Sequence, residues 1–200
     1  STAIVLMLGG IVAAETEAAL VAIPAALFVV AMMSTMSRKT KAIIAGAYIL
    51  GAMVVSVAAP SIVNKIILYD SSGLVRRAQW SETFRMLADH PFLGAGLDGY
   101  PTALAPYHDA TFYEIFQYPH NIFLNVWSEL GILGLLCLLA LMIVLTEKAW
   151  RHRDDPFVLG CFAALLTMSI HGLVDVPFFK NDLAIVTVFF VVGVLSERKK

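Results

Sequence analysis

The chain has 200 residues, 59% of them hydrophobic and 14% charged, with a formal net charge of −1 and a mean hydropathy of +0.79. Soluble domains average about 25% charged residues, so this is the composition of a membrane protein, and its near-neutral balance offers no basic patch for nucleic acid. The two cysteines, Cys137 and Cys161, both lie in apolar runs and define no disulfide or zinc framework.

Six apolar runs follow one another as predicted membrane helices, the form in which lipid-exposed backbone satisfies its own hydrogen bonds. The first, Ala3 to Ala14, is too short to cross a hydrocarbon core of ~30 Å at ~1.5 Å per residue, so the chain is expected to enter partway through a helix. The others are Glu17 to Met36, Ala42 to Ala59, Asn121 to Thr146, Pro156 to Val174 and Leu183 to Ser196. The first 37 residues contain no Lys or Arg, which leaves no charged n-region for a signal peptide. Basic residues set the orientation. Arg38, Lys39 and Lys41, then Lys148, Arg151 and Arg153, then Arg198, Lys199 and Lys200 fall on one side when the helices are threaded alternately. That side is expected to be the cytoplasm, and the C-terminus lies on it. The expected fold is all-α: a polytopic transmembrane bundle of about six spans, the first truncated. Membrane helices occupy 1–59, a large loop on the far side occupies 60–119, and C-terminal membrane helices occupy 120–200.

Loops of that length usually serve a function. Within it, Leu74 to Asp89 reads as an amphipathic helix, with Trp80, Phe84 and Leu87 on one face and Arg77, Ser81, Glu82 and Arg85 polar. Such a helix suits the membrane interface. His90, Pro91 and then Gly94, Gly96 and Gly99 end it in a turn-rich segment. The glycines match G-x-G-x-x-G, yet no strand precedes them and no βαβ unit surrounds them, so a dinucleotide site is rejected and no cofactor is expected. They either make turns or donate N–H groups to a phosphate. The aromatic stretch Tyr100, Tyr107, Phe112, Tyr113, Phe116 and Tyr118 either belts the interface or stacks on sugar rings.

Candidate chemistry concentrates at Pro119-His120-Asn121, where the loop re-enters the membrane. Pro119 fits the first turn of a helix, whose other N–H groups would face outward and attract an anion. His120, with an unperturbed pKa of ~6.5, suits a base or a neutral hydrogen-bonding group at such a mouth. Arg76 lies one turn before Trp80 on the same side of its helix, and a planar guanidinium can clamp phosphate oxygens with two parallel hydrogen bonds. Arg77 is a second candidate for the phosphate, or else solvates a helix end or a lipid headgroup. Glu129 is nine residues beyond His120, about 180° around a regular helix. It reads as a structural anchor more than a base, beside a polar stripe of Asn121, Asn125 and Ser128. His171 and Asp175, four residues apart, form either a stabilised interfacial pair or a support for the reaction centre. His90, His108 and His152 have no constellation around them and read as surface residues.

In order, Arg76, Trp80, the run Asp89-His90-Pro91-Phe92-Leu93-Gly94-Ala95-Gly96, then Pro119-His120-Asn121 with Leu124, and Glu129-Leu130-Gly131 with Gly134 resemble the O-antigen ligase and polymerase family. The resemblance implies a metal-independent glycosyltransferase of the bacterial inner membrane. Its donor would be a glycan on undecaprenyl diphosphate, taken on the periplasmic face. The acceptor would be a hydroxyl of lipid A-core in a ligase, or of a growing glycan in a polymerase. Arg76 matches the family's essential arginine at the start of the loop helix, implied to bind diphosphate. His120 matches its essential histidine, implied to orient or deprotonate the acceptor. Ligases often carry a further arginine at the outer mouth of an earlier helix, where this chain reads Glu15-Thr16-Glu17. A membrane transporter is the alternative of another class; it would call for midplane polar sites, broken helices and an inverted repeat.

Overall fold

The computed structural model describes residues 17–179 and 181–196. The expected Ala3 to Ala14 span and the Glu15-Thr16 pair lie outside them. The described residues contain helices and no strand. In order they are α1 (Glu17–Met33), α2 (Arg38–Ala58), α3 (Pro60–Ile66), α4 (Ser71–Asp89), α5 (Tyr100–Leu104) with a 3-10 turn at Ala105–Tyr107, α6 (Ile122–Arg151), α7 (Pro156–His171) and α8 (Asn181–Leu195).

Two of these, α2 and α6, are long and apolar enough to cross a membrane. The expected span at Ala42 starts earlier, at Arg38, because Ser37 caps α2 by accepting a hydrogen bond from the Thr40 N–H at 3.1 Å. The shorter apolar helices α1, α7 and α8 have 17, 16 and 15 residues, roughly 22–26 Å of helix. They fall short of a full hydrocarbon core unless their flanks extend them. Asp155 starts α7 by accepting from the Phe157 N–H at 2.8 Å, and the helix stops at His171 rather than Val174.

Two apolar clusters organise the chain. One joins α1, the end of α6, α7 and α8 through Met33, Leu145, Ala149, Val158, Cys161, Phe162, Leu165 and Val194. The other joins α4, α5 and the start of α6 through Met86, Leu87, Tyr100, Leu104 and Leu124. The buried face of α4 differs from the expected one. Gln79, Glu82, Thr83, Met86 and Leu87 point inward, whereas Phe84 is exposed. The reason is that α4 packs on α5 and α6, and its polar inward side chains find partners on Tyr100 of α5 and in the loop from His108 to Tyr118. Tyr100 shows this best, fully buried with its hydroxyl 2.7 Å from that of Thr83.

Helix α6 belongs to both clusters because it is broken. Gly131 has φ 69° and ψ −173°, a combination that essentially only glycine adopts. The segment from Pro91 to Gly96 fills the break. The Ala95 N–H donates to the Ser128 carbonyl at 2.6 Å, and Trp127 Nε1 donates to the Pro91 carbonyl at 2.8 Å. A Cβ on Gly131 would collide with the Phe92 carbonyl oxygen, and one on Gly94 with the Ser128 carbonyl oxygen. The two glycine-bearing motifs of the sequence are therefore two halves of one backbone joint.

The break also settles a mismatch of lengths. A straight α6 of 30 residues would run ~45 Å, while α7, 16 residues long, runs ~24 Å. Only a tight turn connects Arg151 to Pro156, yet the Ile122 N–H donates to the Gly172 carbonyl at 2.7 Å, just past the end of α7. The two ends can meet because Ile122 to Leu130 folds over the end of α7 and only the remainder of α6 runs alongside.

Candidate active site

The folded-over segment brings His120 to the end of α7. The start of α6 differs from expectation here. Pro119 and His120 precede the helix, Asn121 is its N-cap, and His120 takes a left-handed φ of 47°. The outward donors predicted for the helix mouth are already used. Asn121 Oδ1 accepts from the N–H groups of Phe123 and Leu124 at 3.0 and 3.1 Å, and the Ile122 N–H goes to Gly172. An anion bound by this helix N-terminus is thus excluded by the chain's own capping. Asn121 Nδ2 also donates to the Leu173 carbonyl at 3.0 Å, tying the mouth of α6 to the segment after α7.

That segment carries Asp175. Its Oδ1 lies 3.4 Å from His120 Nδ1, and its Oδ2 lies 3.8 Å from His171 Nε2. His171 and Asp175 are not on one helix face, since α7 ends at His171; the chain turns and places the carboxylate between two imidazoles. The contact with His120 holds the Asp175 carboxyl down at about 2, against a burial that acts in the opposite direction. Asp175 is therefore ionised at any ordinary pH.

Helix α4 approaches from the other side with residues at helical spacing. Trp80 Nε1 donates to the Pro119 carbonyl at 2.8 Å, and Gln79 Nε2 to the Tyr118 carbonyl at 2.9 Å. One turn earlier, Arg76 Nε donates to the Val174 carbonyl at 3.0 Å and its Nη1 to Ser72 Oγ at 2.6 Å. Arg76 thus stands next to the residue that positions Asp175. A cavity of about 390 Å³ opens there, with Ala18, Val21, Ile62, Ile66, Ile170 and Leu173 on its apolar wall and Lys65, Asp70, Ser72, Arg76, His171 and Asp175 among its polar groups. Arg77 does not line it; its guanidinium lies 4.9 Å from the centre of the Tyr69 ring.

The His120 ring is held by aromatic neighbours. It meets Phe116 edge-on at 5.1 Å and Tyr118 at 4.8 Å, and Phe116 stacks on Tyr113 at 5.8 Å. Tyr113 donates its hydroxyl to Glu82, which also accepts from the N–H groups of Asp109 and Ala110 at 3.1 and 3.2 Å. His108 Nδ1 lies 2.9 Å from the same carboxylate. His108 is accordingly not a surface residue without a constellation. Burial pushes the Glu82 carboxyl up, but these hydrogen bonds outweigh it and leave the group below the usual carboxylate range. The aromatic stretch is thus no simple belt. Tyr100, Tyr107 and Tyr113 are tied by their hydroxyls to Thr83, Asp89 and Glu82, and Phe112 and Phe116 remain exposed.

Glu129 lies next to the break and is half-buried, while Asn125 and Ser128 are fully buried beside it in sequence. Of the expected polar stripe, Asn125 and Ser128 are therefore turned inward, whereas Asn121 caps the helix beside His120. Sequence reasoning missed Gln79, Ser72 and Lys65. Gln79 and Ser72 were readable from their spacing of three and four residues from Arg76; Lys65 had no local signal, because α3 and the turn after it bring it to the cavity.

A family model described as O-antigen ligase matches residues 2–139, which include Arg76, His120 and both halves of the glycine joint. An O-antigen ligase of Pseudomonas aeruginosa is 29% identical over 171 residues, covering 84% of this chain and 39% of that protein. The chain thus spans well under half the length of the relative it matches. No solved structure matches it. With more than half of the chain inside the family model, this membrane protein belongs to the O-antigen ligase family.

Proposed function

We propose that the chain carries the active site of a membrane glycosyltransferase that moves a glycan from undecaprenyl diphosphate to an acceptor hydroxyl on the periplasmic face of the bacterial inner membrane. The acceptor of a ligase is lipid A-core. The observation that carries this reading is the meeting of Arg76, Lys65, His171 and Asp175 around one apolar-walled cavity, with His120 bonded to the same Asp175. An apolar wall suits the first isoprene units of the carrier, and two cations at its polar end suit a diphosphate.

In this reading the acceptor oxygen attacks the anomeric carbon, the bond from that carbon to the diphosphate oxygen breaks, and undecaprenyl diphosphate leaves. Asp175 faces the Nδ1–H of a neutral His120, which keeps that proton and leaves the Nε2 lone pair as the base that takes the hydroxyl proton. Arg76 carries the charge that grows on the leaving diphosphate, so positioning and fixed charge supply the catalysis without a metal. The basic residues after α1 and around the end of α6 would lie in the cytoplasm, with the C-terminus, and the helices shorter than a full core would complete a bundle of about six spans. The Ser128 carbonyl beside the break accepts from the Ala95 N–H, so that oxygen is committed to the joint rather than offered to a transported ion.

A strain deleted for the gene tests this by gel analysis of surface polysaccharide. Uncapped lipid A-core supports the ligase, cores capped with a single repeat unit point to a polymerase, and an unchanged pattern refutes both.

A further inference from the structure

The loop that fills the α6 break carries more apolar surface than the joint uses. Phe92, Leu93 and Leu97 are 75, 82 and 75% exposed, and the run from Pro91 to Leu97 contains no charged residue. The backbone of Phe92 and Leu93 lies against Gly131, which on α6 is flanked by Leu130 and Leu133, 54 and 71% exposed. Exposed apolar residues therefore lie on both partners of the joint.

Lengths say where this surface sits. From Ile132 to Thr146 the unbroken, uncharged part of α6 has fifteen residues, or ~22 Å, less than one hydrocarbon thickness of ~30 Å. Glu147, Lys148 and Arg151 at its lower end belong outside the hydrocarbon, so Gly131 at its upper end still lies within the hydrocarbon edge of the opposite leaflet. Irregular backbone is tolerated at that depth only if its polar groups are satisfied. The joint meets this condition through the Ala95 and Trp127 hydrogen bonds.

We propose that Phe92, Leu93 and Leu97 form a wedge inserted into the hydrocarbon edge of the leaflet nearest the active site, fixing the height of His120 above the bilayer. The bilayer is the committed occupant because the wedge is joined to a spanning helix at exposed apolar residues and lacks any charge that would hold it in water. The inference does not depend on the glycosyltransferase reading.

Single cysteines at positions 92, 93 and 97 of the full-length protein, with Cys137 and Cys161 replaced, test it in lipid nanodiscs. Glu114→Cys serves as the exposed reference. Reaction with a membrane-impermeant maleimide should be roughly tenfold slower at the wedge than at 114, a factor equivalent to ~1.4 kcal/mol. A bimane label at each wedge position should be quenched by lipids carrying a nitroxide high on the acyl chain more than by lipids carrying it near the chain end. Labelling as fast as at 114 would place the loop in water and overturn the proposal. Protection from both maleimide and lipid quencher would show that protein covers it, another part of the chain or a second copy, and would overturn it equally.

Discussion

Gly131→Ala removes no side chain and yet should disable the joint on which the site rests. The substitution asks an L residue to hold φ 69° and ψ −173°, which costs about 1–3 kcal/mol by itself. The new Cβ also collides with the Phe92 carbonyl oxygen, so either the loop or the helix has to move. Movement lengthens the Ala95 to Ser128 and Trp127 to Pro91 hydrogen bonds, now 2.6 and 2.8 Å, each worth about 0.5–1.5 kcal/mol. The combined loss is about 2–6 kcal/mol. Gly96→Ala is the matched comparison, because Gly96 has a similar φ of 77° but open space around its Cβ position. It should lose only the backbone term, about 1–2 kcal/mol. Thermal unfolding of the full-length protein in nanodiscs reads both, with tryptophan fluorescence reporting Trp127. Equal midpoints for the two variants would refute the joint, since they would show that the collision with Phe92 costs nothing.

Three other predictions concern the site. Asp175→Asn should reduce glycan transfer at neutral pH, because the amide oxygen carries no negative charge to stabilise His120 once it has taken the hydroxyl proton, and Asp175→Glu should restore part of it. The depressed pKa of Asp175 means that this contact is present above the unfolded value of ~3.9 and lost as pH falls through about 2. Proton exchange at His120 followed by NMR should therefore show no Asp175-dependent change between neutral pH and pH ~5. Glu82→Ala should loosen the loop from Asp109 to Phe116 and cost about 2–4 kcal/mol, as removal of a buried, multiply bonded acceptor does. Hydrogen exchange at the Asp109 and Ala110 amides reads it. The native carboxylate's contribution is present above its unfolded pKa and declines in acid as pH falls through its lowered folded value. Arg77→Ala should leave transfer nearly unchanged, since Arg77 rests on Tyr69 outside the cavity.

Much of this arrangement was legible in the sequence because it is local. The spacing of Arg76, Gln79 and Trp80 on one helix face needs only the α-helical repeat. What escaped was long-range. Nothing near Glu82 in sequence reveals that His108 and Tyr113 return to it. The apolar period of α6 runs unbroken through Gly131, so it reads as one straight span with Glu129 deep inside, whereas the break puts Glu129 at the joint. The cap that Asn121 gives the Phe123 and Leu124 donors is local, but the one for Ile122 comes from Gly172, fifty residues away, and no nearby signal announces it. The glycines of the Gly94 to Gly99 run resembled a phosphate loop, but at Gly94 backbone proximity to Ser128 requires the missing side chain.

The decisive experiment is complementation of the deletion strain with His120→Ala and Arg76→Ala in the full-length protein, scored by polysaccharide gel and by membrane-fraction immunoblot. We predict wild-type levels of inserted protein with no attached or extended polysaccharide for either variant. Normal product from both would contradict the assignment of this cavity as the active site.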